Sequence, residues 1–140
     1  MAASVLTAPM ASIGVPKEIK ADEQRVALTP DAVRELASQG LEVRIESSAG
    51  AGAGIADDAF AAAGAQVVSR EEAWAAHLVV KVKEPQLEEL GFLRDDMVLF
   101  TYLHLAAYPS VGEALLEAGT TGIAYETVQL KAAACPCWLR

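Results

Sequence analysis

The stretch TPDAVRELASQGLEVRIES, residues Thr29 to Ser47, decides the fold. Its first half carries a helix signature. Thr29 stands at the N-cap, Pro30 at the first helical position and Gly40 just past the end. Val33, Leu36 and Ala37 fall on one face at helical spacing. The second half, LEVRIES, alternates with period two and reads as a strand.

The same alternation extends in both directions. Upstream, SIGVP is a short apolar strand closed by Pro16. Downstream, DDAFAAAG reads as a short helix ended by Gly64, and AQVVS as a strand. SREEAWAAH opens with a capping box, Ser69 with Glu72 three residues on. LVVKVK then reads as a buried strand, QLEEL as a short helix and DMVLFTYLH as another apolar strand. PSVGEALLEAG is a helix with Gly119 at its end, and TGIAYETV a last strand. Strands alternating with helices of about ten residues imply an α/β fold. The expected architecture is a parallel sheet in the middle of three layers, with helices on both faces.

Bulk properties limit the possibilities. At 140 residues the chain suits one domain, long enough to bury a core without staples. With 53% hydrophobic and 21% charged residues it is not a disordered sequence. A formal net charge of −8 argues against a nucleic-acid surface or an anionic membrane surface. No run approaches the ~18 apolar residues of a membrane helix. Residues 1–11, MAASVLTAPMA, read as a loose leader without the basic region of a secretory signal. Cys135 and Cys137 make a poor disulfide framework and half a zinc site at most, so they read as part of an incidental tail.

The glycines Gly50, Gly52 and Gly54 invite comparison with a dinucleotide-binding turn. The spacing is G-x-G-x-G rather than G-x-G-x-x-G, and no long helix follows. About 20 residues further on, the acidic residue that should end a strand falls instead among the helical glutamates Glu71 and Glu72. The expectation is therefore a flexible turn whose small residues let chains pass closely.

Ligands of open parallel sheets bind beyond the carboxyl ends of the strands. Three segments lie there: KEIKADEQRVALTP, KVKEP and TYLHLA. They would bring Arg25, Lys83 and His104 to one edge if their strands are neighbours. Arginine matches a carboxylate with two parallel hydrogen bonds. Lysine can polarise a ketone oxygen, and histidine can pass a proton near neutrality. The set would suit a small 2-oxo acid. Each residue also has a plainer reading. Arg25 could be a solvated residue, His104 a structural histidine, and either Lys81 or Lys83, on one face of the same strand, a side chain snorkelling at the sheet edge. His77 reads as a helix-end histidine without a catalytic role, and Tyr102 and Tyr125 as core rings with bonded hydroxyls.

IGVPKEIKADEQRVALTP, GAGAGIADDAFAAAGAQVV, LVVKVKEP, LFTYLHLA and GTTGIAYETVQL, taken together, resemble the amino-terminal part of the alanine dehydrogenase family. The resemblance runs from about Ser12 to Leu130. The wider family includes the alpha subunit of proton-translocating transhydrogenase, but KVKEP and YLHLA favour alanine dehydrogenase. The resemblance implies a Rossmann-like or flavodoxin-like substrate domain. It implies oxidative deamination of L-alanine to pyruvate and ammonium with NAD, in the cytoplasm, by a homo-oligomer. It further implies that Arg25 and Lys83 hold the substrate carboxylate and carbonyl, that His104 is the acid–base group, and that Tyr102 lies at the pocket wall. The glycine stretch belongs to the substrate domain in this family. The family's NAD domain has no counterpart here, and KAAACPCWLR, residues 131–140, departs from the family as a divergent tail. The expectation is a substrate-binding piece, residues 12–130, that does not transfer a hydride as an isolated chain. The alternatives are a non-catalytic pyruvate- or alanine-binding lobe, a protein-interaction lobe, or part of a transhydrogenase alpha subunit.

Overall fold

A computed structural model describes residues 11–129. The leader except Ala11, and the tail with Cys135 and Cys137, lie outside the described residues.

Six strands form one sheet: β1 (Ser12–Val15), β2 (Glu42–Glu46), β3 (Gln66–Val68), β4 (Leu78–Val80), β5 (Val98–Thr101) and β6 (Thr121–Ala124). Every pairing is parallel, in the order β3-β2-β1-β4-β5-β6. This is the Rossmann order, with its reversal between β1 and β4. Four α-helices connect strands: α1 (Pro30–Ser38), α2 (Asp57–Ala62), α3 (Arg70–Trp74) and α4 (Pro109–Ala118). Short 3₁₀ turns at Ala51–Ala53, Leu87–Phe92 and Tyr125–Thr127 complete the described chain.

The local signals act as their chemistry dictates. Thr29 Oγ1 accepts from the Ala32 N–H at 3.3 Å, and Pro30 opens α1. Ser69 and Glu72 exchange both bonds of the capping box, at 2.9 and 3.3 Å. Gly119 ends α4 at φ 70°, a left-handed conformation that favours glycine. Where the helices differ from expectation, they are shorter. α2 and α3 have six and five residues, and QLEEL forms 3₁₀ geometry. The strand within LVVKVK runs only from Leu78 to Val80, although the Lys81 N–H still donates to the Phe100 carbonyl at 3.0 Å.

Alternation along the strands sends side chains to two cores. On one face Val15, Val43 and Ile45 pack with Val33 of α1 and Phe60 of α2. On the other, Val79 and Leu99 pack with Trp74 of α3 and Val111 and Leu115 of α4. Gly14 of β1 faces α3, where a Cβ would run into the Ala73 carbonyl. The absence of a side chain there lets the crossover helix sit close against the sheet. Among the described residues, no helix is long and apolar enough to cross a membrane.

Candidate functional site

The carboxyl ends of β1 and β4 meet at the reversal of strand order, where a crevice is topologically forced. Its floor is ionic. The Lys81 side chain is completely buried, and its Nζ donates to Glu18 Oε2 at 3.1 Å and Glu89 Oε1 at 3.0 Å. Glu18 Oε1 also accepts the Val82 N–H at 2.6 Å, and Glu89 Oε2 accepts the Gln86 N–H at 2.8 Å. Burial pushes the Glu18 carboxyl up from its ordinary value, and Lys81 only partly opposes that. Lys81 is thus the structural lysine of the pair, not a snorkelling one. The strand ends before it, so Lys81 and Lys83 do not share a strand face.

Above this floor a second carboxylate organises the rim. Glu84, with its side chain 2% exposed, takes Lys20 on Oε1 and His104 Nδ1 on Oε2, the latter at 3.0 Å. Burial alone would raise the Glu84 carboxyl, but the hydrogen bonds from Lys20 and His104 outweigh it and hold the group below its usual value. Stability from this group is therefore present above the ordinary carboxylate range and is lost as pH falls through the depressed value. Glu18, shifted the other way, acts with the opposite sign. Lys20 also reaches the Tyr108 hydroxyl at 3.3 Å, which ties the loop after β1 to the start of α4.

His104 follows β5 in a left-handed conformation, φ 47°. Glu126, just past β6, accepts its N–H at 2.8 Å and that of Leu103 at 3.2 Å. The Tyr102 ring stacks on the imidazole at 5.5 Å and 13°, and meets Tyr125 edge-on at 5.0 Å. Tyr102, His104, Leu105, Ala124, Glu126 and Thr127 line an open cleft of about 540 Å³.

Arg25 lies on the loop between β1 and α1, with its side chain 61% exposed. Its Nε and Nη2 donate to the two oxygens of Glu23 at 2.8 and 2.7 Å. Those bonds, chiefly, hold the Glu23 carboxyl down at about 2, with a smaller contribution from the nearby Lys83 ammonium. The phenol of Tyr102 acts in turn on Arg25. Arg25, Lys83, Tyr102 and His104 therefore do come to one edge, on the loops after β1, β4 and β5. Lys83 is half-buried, and its ammonium has no hydrogen bond or ion pair among the described residues. Its carbonyl is fixed by the Thr101 hydroxyl at 2.8 Å. Both Lys20 and Lys81, by contrast, are committed to carboxylates.

His77 does not end a helix. It lies beyond α3, at the opposite edge of the sheet, where its ring Nδ1 and backbone N–H meet the Ser12 hydroxyl at 3.0 and 3.2 Å. The glycine stretch is a packed 3₁₀ turn. A Cβ on Gly50 would strike Ile55 and Phe60, and one on Gly52 would strike Gln24. The Ser48 N–H, which an anion-binding turn would offer, is taken by the Asp57 carboxylate at 2.8 Å.

The sequence reading missed Glu18, Lys20, Glu84, Glu89 and Glu126. One signal was available for Glu84: it sits between Lys83 and Pro85, and proline confines the preceding residue to extended backbone. Glu89 stands three residues after Gln86, whose N–H it caps. Glu18, Lys20 and Glu126 have no local mark, because their partners are far away in sequence.

Comparison with known proteins places these observations. The model of the family described as alanine dehydrogenase/PNT, N-terminal domain, matches residues 14–137. Alanine dehydrogenase of Bacillus subtilis is 52% identical over 117 residues, covering 83% of this chain and 31% of that protein. Alanine dehydrogenase of Mycobacterium tuberculosis is 52% identical over 126 residues, covering 89% and 34%. Among solved structures, an L-alanine dehydrogenase superposes with a TM-score of 0.87 at 52% identity, over 89% of this chain and 35% of that one. A transhydrogenase from Sinorhizobium meliloti superposes with a TM-score of 0.80 at 29% identity, over 86% and 36%. The chain spans about a third of the length of the curated relatives it matches.

Proposed function

The chain belongs to the alanine dehydrogenase/PNT N-terminal domain family, and from that premise we propose that its strand-end cluster is the alanine and pyruvate site of an NAD-dependent alanine dehydrogenase. The observation that carries the reading is the uncommitted, half-buried Lys83 ammonium beside an exposed guanidinium and a carboxylate-bound imidazole. The higher identity to alanine dehydrogenases than to the transhydrogenase favours amino-acid chemistry over the transhydrogenase alternative.

The roles follow from the chemistry of each group. Glu23 occupies the inner edge of the Arg25 fork, and the outer Nη edge is the one that grips the substrate carboxylate. Lys83 donates to the 2-oxo oxygen and draws electrons away from C2 as ammonia adds there. His104 takes and returns the proton at that oxygen. The stacked Tyr102 ring forms the wall beside it. NAD supplies the hydride acceptor in such an enzyme. The described residues do not fit a dinucleotide, because the turn after β1 reads Pro16-Lys17-Glu18 without glycine and the turn after β2 engages Asp57. Its binding is assigned to the parts of the relatives that this chain does not span. The same reading places the reaction in the cytoplasm and the complete enzyme in a homo-oligomer.

The test is a chimera in which residues 14–128 replace the matching segment of the Bacillus subtilis enzyme. Alanine-dependent NADH formation is expected. In that chimera Arg25→Ala should raise KM for pyruvate by about 10- to 150-fold, the equivalent of one charge-assisted hydrogen bond of about 1.5–3 kcal/mol. An unchanged KM would remove Arg25 from the pocket.

A further inference from the structure

The imidazole of His104 is held from three sides, and only one of them is a side chain that can dictate where its proton sits. Tyr102 covers a flat face, and Glu126 fixes the backbone by accepting two consecutive N–H groups. Glu84 meets the ring itself, at Nδ1. We propose that Glu84 is a positioning residue for His104: its carboxylate, clamped between Lys20 and the ring, fixes the neutral imidazole with its proton on Nδ1 and leaves Nε2 for the substrate. This assignment rests on the reading of His104 as the acid–base group.

The chemistry leaves little alternative. An ionised carboxylate can only accept, so a 3.0 Å contact to it requires a donor, and Nδ1 must carry the hydrogen. Lys20 on the other oxygen keeps the carboxylate ionised and fixes its rotation. The loop under Glu84 is itself anchored. The Thr101 hydroxyl holds the Lys83 carbonyl at 2.8 Å, Gln86 Nε2 holds the Glu84 carbonyl at 2.9 Å, and Pro85 restricts the backbone between them. His104 lines the cleft, so Nε2, which has no partner among the described residues, is the nitrogen available to a ligand there. A histidine that exchanges a proton with a ligand works through one nitrogen only if the other is spoken for. Lys83 and Glu84 are consecutive, so a single short loop would carry both the carbonyl-polarising group and the group that orients the acid–base histidine.

The chain has only two histidines, which makes the test direct. Long-range ¹H–¹⁵N spectra of the 140-residue chain are recorded at about pH 8, above the ordinary imidazole range. His104 is expected to carry its proton on Nδ1 as the main neutral form. In Glu84→Leu, which leaves no acceptor beside Nδ1, that form should be lost as the main species, in favour of the Nε2-protonated form. The His77 signals, set by Ser12 at the opposite edge, should stay in place and report that the fold survives. A wild-type His104 with its neutral proton on Nε2 overturns the proposal without any variant. An unchanged tautomer in folded Glu84→Leu overturns it as well. Added pyruvate separates this inference from the functional reading. A proton on Nδ1 with no pyruvate response supports the role of Glu84 and counts against the substrate site. Pyruvate binding with the proton on Nε2 does the reverse.

Discussion

Lys81→Met is expected to cost about 3–5 kcal/mol of folding stability, the range seen when one partner of a buried ion pair is removed. The substitution keeps the volume and length of the side chain but deletes the charge that Glu18 and Glu89 share. Those carboxylates are only 2% and 1% exposed, so water cannot replace the ammonium. For Glu18, burial already raises the carboxyl and Lys81 is the chief opposing influence. Without it, Glu18 takes up a proton more readily, so the cost of the substitution should shrink as pH falls. Urea unfolding followed by circular dichroism at neutral and mildly acidic pH measures both effects. The triple variant Lys81→Met, Glu18→Gln, Glu89→Gln should recover most of the loss, because neutral amides keep acceptors for the Val82 and Gln86 N–H groups. A cost below about 1 kcal/mol for Lys81→Met would mean that the three groups are not coupled as the geometry indicates.

Lys83→Met should behave in the opposite way, leaving the fold and removing the chemistry. The Lys83 ammonium makes no hydrogen bond or ion pair among the described residues, and Glu23, which it acts on from nearby, keeps Arg25, so its loss strands no buried charge. In the chimera with the Bacillus subtilis enzyme, kcat/KM for pyruvate amination should fall by about 10²–10⁴, the range of a positioned polar catalyst. The urea midpoint should stay close to that of the unmodified chimera. Near-normal turnover would take Lys83 out of the reaction. These two variants lie two residues apart, and their contrasting outcomes test the division of labour between them.

That division is where sequence reasoning reached its limit. In an extended strand, residues two apart share a face, so Lys81 and Lys83 looked equivalent. The strand in fact stops at Val80, and the backbone turn after it sends one lysine into an ionic floor and leaves the other at the rim. Nothing local marks the different fates of the two lysines, because Glu18, which accepts from Lys81, lies 63 residues away. The sheet itself was legible because its signals are local. Thr29 and Pro30 start α1, Ser69 and Glu72 box α3, and Gly40, Gly64 and Gly119 adopt positive φ just past α1, α2 and α4. Strand order is a different matter. Alternating strands and helices fit either a Rossmann or a flavodoxin-like order, and only the pairing of β1 with β4 selects the first. The candidate residues Arg25, Lys83, Tyr102 and His104 could be placed at strand ends by counting. The carboxylates Glu84, Glu126 and Glu23, which orient or restrain them, could not be ranked among the 19 acidic residues without knowing what they touch.

The proposed substrate site is tested most directly by titrating the ¹⁵N-labelled 140-residue chain with pyruvate and following its backbone amides. A site built from these loops predicts saturable shifts clustered at Arg25, Lys83, Tyr102 and His104, with the β1 to β5 strand interiors undisturbed. Shifts confined to the turn from Ser48 to Asp58, or none up to the solubility of the chain, would contradict it.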